Sequence, residues 1–156
     1  MRPLSSCIAI VLLTSCFCLS SQANPPEQTG TAQAETFSDA VAEKAMDTLR
    51  RGLIGHSPEL MLSAFDRDKM PGYSAFADQV RAFFEQYDSF RVYARILHSS
   101  VENGRGIATL QFELDETPRD PTVSPIRKIA EVRLEFERGA KGWKIVEIRP
   151  RKFFSY

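Results

Sequence analysis

At Asp88 the spacing of apolar side chains changes from near four to two, and no other feature limits the fold of this chain as tightly. Before that point Phe37, Val41, Ala45, Leu49 and Leu53 recur every fourth residue, the buried stripe of an amphipathic helix. Thr36 can accept a hydrogen bond from the free N–H groups of its first turn, and Asp39 suits the same positive end. Gly52 and Gly55 mark its close. Ser57 followed by Pro58 starts a shorter helix, since proline fits the first helical position, and Leu60, Met61, Ala64 and Phe65 form its buried side. "DRDKMPGY" breaks that helix. A third runs from about Ser74 to Tyr87, with Phe76, Val80, Phe83, Phe84 and Tyr87 facing inward.

Beyond Asp88 the alternation is that of strands. Phe90, Val92, Ala94 and Ile96 fall on one side; Ala108, Leu110, Phe112 and Leu114 repeat the pattern after the "ENGRG" turn; Ala130, Val132, Leu134 and Phe136 repeat it again. "RGAKG" then turns the chain into "WKIVEI". One face of such a sheet is dry and the other charged, as in antiparallel sheets packed on one side only. "TPRDPTVSP" is too long and proline-rich for a tight turn and reads as a loop at one sheet end. The fold class is α+β, three helices followed by an antiparallel sheet of about four strands. On this phase Leu134→Ala should cost about 2–5 kcal/mol and Glu135→Ala under about 0.5 kcal/mol.

The compartment is read from residues 1–35. The apolar run from Cys7 to Leu19 falls short of the roughly 20 residues that span a bilayer, and Arg2 precedes it. "SSQA" follows, with Ser21 and Ala23 placed where a signal peptidase needs short side chains. Two processing routes stay open: cleavage after Ala23, making residues 1–23 a signal peptide, or a lipoprotein signal over residues 1–15 with lipidation of Cys16 in "LTSC". Either route predicts an exported protein, periplasmic or secreted, that meets a membrane only through an N-terminal lipid. Cleavage after Ala23 removes all three cysteines, so the mature domain has no disulfide and must hold by packing. Residues 24–35 carry no large apolar side chain and form a flexible polar lead, leaving residues 36–156 as one domain. Losing Arg2 changes 20 basic against 20 acidic residues to 19 against 20, a balance that speaks against a nucleic-acid partner.

Three helices and a four-stranded meander, carried by "SPELMLSAFD", "FADQVRAFFEQYDSFRV", "GIATLQFEL", "AEVRLEFER" and "GWKIVEI", resemble the nuclear transport factor two-like superfamily, which includes SnoaL-like cyclases and ketosteroid isomerases. The resemblance covers residues 36 to about 154. It implies a cone, or cystatin-like roll, in which a curved sheet wraps the helices and one end opens as an apolar pocket. Enzymes of this fold place a carboxylate or a Tyr–Asp pair on the concave face. The resemblance therefore also implies where to look for chemistry.

The twelve inward strand positions named above hold no group that can move a proton, and His98, at a strand end, is the one titratable residue in their phase. His98 is a candidate general base at the pocket rim; the plainer reading is a strand-end histidine bonded to backbone. Tyr73 and Tyr87 are the other rim candidates, with core-edge packing as their plainer role. His56, between two helices, reads as a surface or capping residue. Asp66 and Asp68 share the opening of a calcium loop but lack its glycine and closing glutamate, and no metal or cofactor is expected. "RPRKFFSY" reads as a last strand whose Phe153 or Phe154 closes the cone. The outer face, with Arg91, Arg95, Glu131, Arg133, Glu135 and Glu137, is solvated or aligns a homodimer. The chain thus reads as a non-catalytic domain binding a small apolar ligand or a protein partner. Its alternatives are a SnoaL- or isomerase-like enzyme and an accessory domain of a cell-envelope assembly.

Overall fold

The computed structural model describes residues 36–155. Residues 1–35, on which the expected signal, Cys16 and the expected polar lead fall, lie outside the described residues, as does Tyr156.

Helix α1 spans Asp39–Ile54 and buries Val41, Leu49 and Leu53 from the expected stripe, together with Ala42. Its N-cap is Ser38, in an extended conformation and without a side-chain cap bond, so Thr36 does not play the role its sequence position suggested. Phe37, just outside the cap, instead folds into the core against Phe136, their rings 5.0 Å apart. Helix α2, Pro58–Leu62, has proline in its first turn and is capped as expected, the Ser57 hydroxyl accepting from the Leu60 N–H at 3.3 Å. Leu60 itself is 37 % exposed and Leu62 takes its place in the core. The helix is little more than one turn long, so burying the adjacent Met61 and Leu62 rotates Leu60 outward. Gly52 allows α1 and α2 to touch, because a Cβ there would fall 2.5 Å from the Met61 backbone nitrogen. Helix α3 is Tyr73–Gln86, and its five expected inward residues are all buried, Tyr87 as the first residue of the sheet.

Strands β1 (Tyr87–Glu102), β2 (Arg105–Pro118), β3 (Ile126–Gly139) and β4 (Gly142–Arg149) form one antiparallel meander in that order. The alternation holds through the middle of the sheet: Leu110, Leu114 and Leu134 are fully buried on its helix-facing side, with Phe112 and Val132 nearly so. Long strands of this kind must bend to wrap three helices, and bulges supply the bend. One sits in β1, where Ile96 pairs with Leu110 but His98 pairs with Thr109, leaving Leu97 as the extra residue. Another lies between β3 and β4, where Val146 is inserted between Ile145 and Glu147.

The C-terminus finishes the cone. After Pro150 a 3₁₀ turn, Arg151–Phe154, brings Phe153 and Phe154 under the sheet, where Phe112 meets them edge-on at 5.3 and 5.9 Å. Both rings are buried. The segment is a turn and not a continuing strand, and it is tied down from α3 by the Gln79 amide, which donates to the carbonyls of Arg151 and Phe154, each at 2.9 Å.

Candidate functional site

The inward alternation of β2 continues one step past Leu114 to Glu116, and that of β3 begins one step before Ala130 at Lys128. The register brings the two together, since Lys128 is opposite Leu114 while Glu116 is opposite Phe90 of β1 and Ile126 of β3. Glu116 is fully buried. The Lys128 ammonium lies 3.0 Å from its Oε1 and donates to the Ser155 carbonyl at 2.7 Å. The same ammonium stands 5.3 Å from the Phe83 ring centre and 5.9 Å from that of Tyr87, within range of cation–π attraction.

Electrostatically the cluster is tense. Burial drives the Glu116 carboxyl above the usual carboxylate range, and the Lys128 ammonium and the Tyr87 hydroxyl offset only part of that rise. Tyr87 is pushed up to about 12, first by burial, then by the Glu116 charge and the close polar contact between them. These contacts are close but poorly directed, for neither Glu116 oxygen has a donor in aligned hydrogen-bond geometry. A carboxyl of raised pKa beside a phenol and an ammonium is a chemically competent acid–base set. Here Glu116 is wholly buried and the Ser155 carbonyl accepts from the Lys128 ammonium, whose side chain, 28 % exposed, is the part of the cluster most open to solvent.

This corrects the sequence reading of the concave face, which is dry through its middle and polar at one end. One more period-two step, two residues, beyond Leu114 in "FELDE" and before Ala130 in "IRKIA" reaches Glu116 and Lys128. His98 is a second correction. The Leu97 bulge shifts its phase, so it stands exposed on the outer side opposite Thr109, near enough to Glu102 to lower that carboxylate's pKa slightly by charge, after the larger effects of Arg133 and Ser100. Tyr73 opens α3 and packs half-buried against the core. Of the three rim candidates only Tyr87 joins the buried cluster.

The remaining candidates have structural roles. His56 adopts a left-handed backbone (φ 49°) just after α1 and stacks on Phe90, 5.8 Å between ring centres. Asp66 Oδ1 accepts from the backbone N–H groups of Asp68 and Lys69, both at 3.1 Å, which closes the "DRDK" turn. Among the described residues no group of three or more His, Cys, Asp or Glu is placed to hold a metal ion.

No protein-family model matches the sequence, and no curated protein is similar to it. Solved structures do resemble its fold. A nuclear transport factor two-like superfamily protein from Salmonella enterica serovar Typhimurium aligns with a TM-score of 0.61 at 12% identity, over 70% of this chain and 89% of that one. A conserved protein from Planctomyces limnophilus gives 0.60 at 11% identity, over 70% and 91%. A hexachlorocyclohexane dehydrochlorinase of type 2 gives 0.51 at 16% identity, over 71% and 86%. At such identities the likeness speaks for the fold alone, and the fold is the nuclear transport factor two-like cone.

Proposed function

We propose that this cone is an exported, non-catalytic binding domain that meets a protein partner, a second copy of itself, through the outer face of its sheet. The packing of the interior carries this reading. Phe112, Phe136, Phe154, Leu110 and Leu134 fill the cone, all at 0–1 % exposure, and Glu116 is fully buried. Between these packed side chains a substrate in this conformation would find neither room nor an accessible proton.

The outer face is the opposite. Tyr93, Glu113 and Ile129 form one row across β1, β2 and β3, with Tyr93 61 % and Ile129 57 % exposed. Within and around that row stand four arginines (Arg91, Arg95, Arg127, Arg133) and four carboxylates (Glu113, Asp115, Glu131, Glu135). Equal numbers of each sign let two copies approach without net repulsion, and apolar contact can then hold them. Sedimentation of the processed protein should show a dimer, and the double variant Tyr93→Glu, Ile129→Glu should be monomeric with unchanged thermal stability. A monomeric wild type at high micromolar concentration overturns the pairing.

The sealed interior has its own test. Carbodiimide labelling of the native protein should leave Glu116 unmodified long after exposed carboxylates react. Labelling of Glu116 at the rate of Asp78 or Glu59 would revive the enzyme reading. Export rests on the sequence pattern of residues 1–23, and the intact mass of the processed chain decides between a start at Asn24 and a lipid on Cys16.

A further inference from the structure

On the flank of the cone, between the middle of α1, the residues after α2 and the β3–β4 hairpin, lies a pocket of about 200 Å³. Its charged lining is of one sign: Lys44, Lys141 and Lys144, with no carboxylate among the lining residues. Val41, Ala45 and Trp143 supply an apolar wall. The lysines come from two stretches of chain, Lys44 from α1 and Lys141 and Lys144 from the β3–β4 turn and the start of β4, and only the tertiary fold gathers them.

The partners of these lysines are informative. Lys69 and Lys128 elsewhere in the domain each meet a carboxylate, Glu137 at 3.3 Å and Glu116 at 3.0 Å. The ammonium groups of Lys44 and Lys141 meet no carboxylate and no carbonyl among the described residues, and that of Lys144 meets only the Ser63 carbonyl. Three cations converging on one hollow repel one another, and an anion seated between them relieves that repulsion. The aromatic wall is held in place, because the Trp143 ring packs edge-on against Phe37 at 5.3 Å. The volume lies below the roughly 300–1,000 Å³ of sites for drug-sized ligands, so the occupant is small.

We propose that this pocket binds a small organic anion, its carboxylate or phosphate head held by Lys44, Lys141 and Lys144 and its compact apolar body laid against Val41, Ala45 and Trp143. The site is separate from the outer sheet face and does not depend on self-association. Monomeric Tyr93→Glu, Ile129→Glu protein should bind as the wild type does.

Trp143 is the only tryptophan in the chain, so its emission reports on this pocket directly. Benzoate and phenyl phosphate are the probes, titrated against the full-length processed protein by calorimetry and by Trp143 emission, with inorganic phosphate in parallel. Saturable binding of either aromatic anion is expected, at least about tenfold weaker in the double variant Lys44→Gln, Lys141→Gln and weaker in high salt. Both substituted side chains are exposed, so the variant should fold, and unchanged thermal unfolding checks this. The tighter of the two probes identifies the head group. The proposal is overturned if neither aromatic anion binds in the millimolar range, if the double variant binds both as well as the wild type, or if inorganic phosphate binds as tightly as phenyl phosphate.

Discussion

The concave face of the sheet has two parts built on one alternation, a dry middle and a polar end. In the middle, Leu110, Phe112 and Leu134 lie against the helices and Phe154 with at most 1 % exposure. At the end, the next inward positions are Glu116, buried beside Tyr87, and Lys128, half-buried. The same period-two rule chose both sets of positions, yet one set is held by exclusion of water and the other by charges that oppose each other's burial. Inwardness is therefore a property of register, and chemistry is decided by which residue occupies it.

That contrast can be broken at its strongest point first. Phe112→Ala should cost about 3–5 kcal/mol and Leu134→Ala about 2–5 kcal/mol in denaturant unfolding, because the packed middle cannot collapse around the void. Equal tolerance at both positions would show that the dry face is misassigned. Lys128→Met tests the polar end. At pH 7 it should cost up to about 3–5 kcal/mol by leaving Glu116 buried without its cation, and Glu116→Gln in the same chain should restore most of the loss. At pH 4 the single variant should be nearly harmless, since the carboxyl escapes by taking a proton.

Glu116→Gln alone sharpens the comparison further. Burial raises the folded-state pKa of Glu116 above its unfolded value, so the folded chain favours the protonated form. Its contribution to stability is complete below the unfolded value, near 4.5, and is lost as pH rises through the folded one. Urea unfolding should show the wild type losing ground to the Gln variant between pH 4 and 7, whereas a variant that loses ground to the wild type instead would reverse the assigned shift. Tyr87 obeys the same sign. Raised to about 12 from 10.0, it contributes stability that fades between those values, and Tyr87→Phe should remove the late-titrating phenol from an ultraviolet titration.

The smallest effect belongs to the outer face. Glu131→Ala should change stability by under about 0.5 kcal/mol, since Glu131 is exposed and has no ion pair among the described residues. Glu135, which alternation alone would treat the same way, is 14 % exposed and meets Arg105 at 3.2 Å and Arg133 at 3.7 Å. Its replacement should cost more, on the order of 0.5–1 kcal/mol, as paired cross-strand charges do.

Much of the fold was legible because its determinants are local. The four-residue stripe of α1, the Ser57–Pro58 start of α2, the five inward residues of α3 and the alternating strand cores all follow from backbone periodicity and caps. Leu60 and Thr36 were misplaced for a related reason. A helix of five residues and the first turn of α1 are positioned by what they pack on, and here Leu62 and Phe37 won the core. The candidate site was less legible. Tyr87 is legible as an inward residue, but Glu116 and Lys128 lie one step beyond the apolar stretches of their strands, and His98 is moved outward by a bulge that no residue type announces.

By itself the sequence determined the order of helices and strands, the dry middle of the sheet and the aromatic closure at the C-terminus, because each depends on side-chain spacing along one segment. Tertiary structure alone decided three things: which way His98 points, that Glu116, Lys128 and Tyr87 meet, and that three lysines share one hollow. Each of these depends on register, bulges and the approach of segments distant in the chain, and the energies that fix such geometry are summed over the whole core and not written at any one residue.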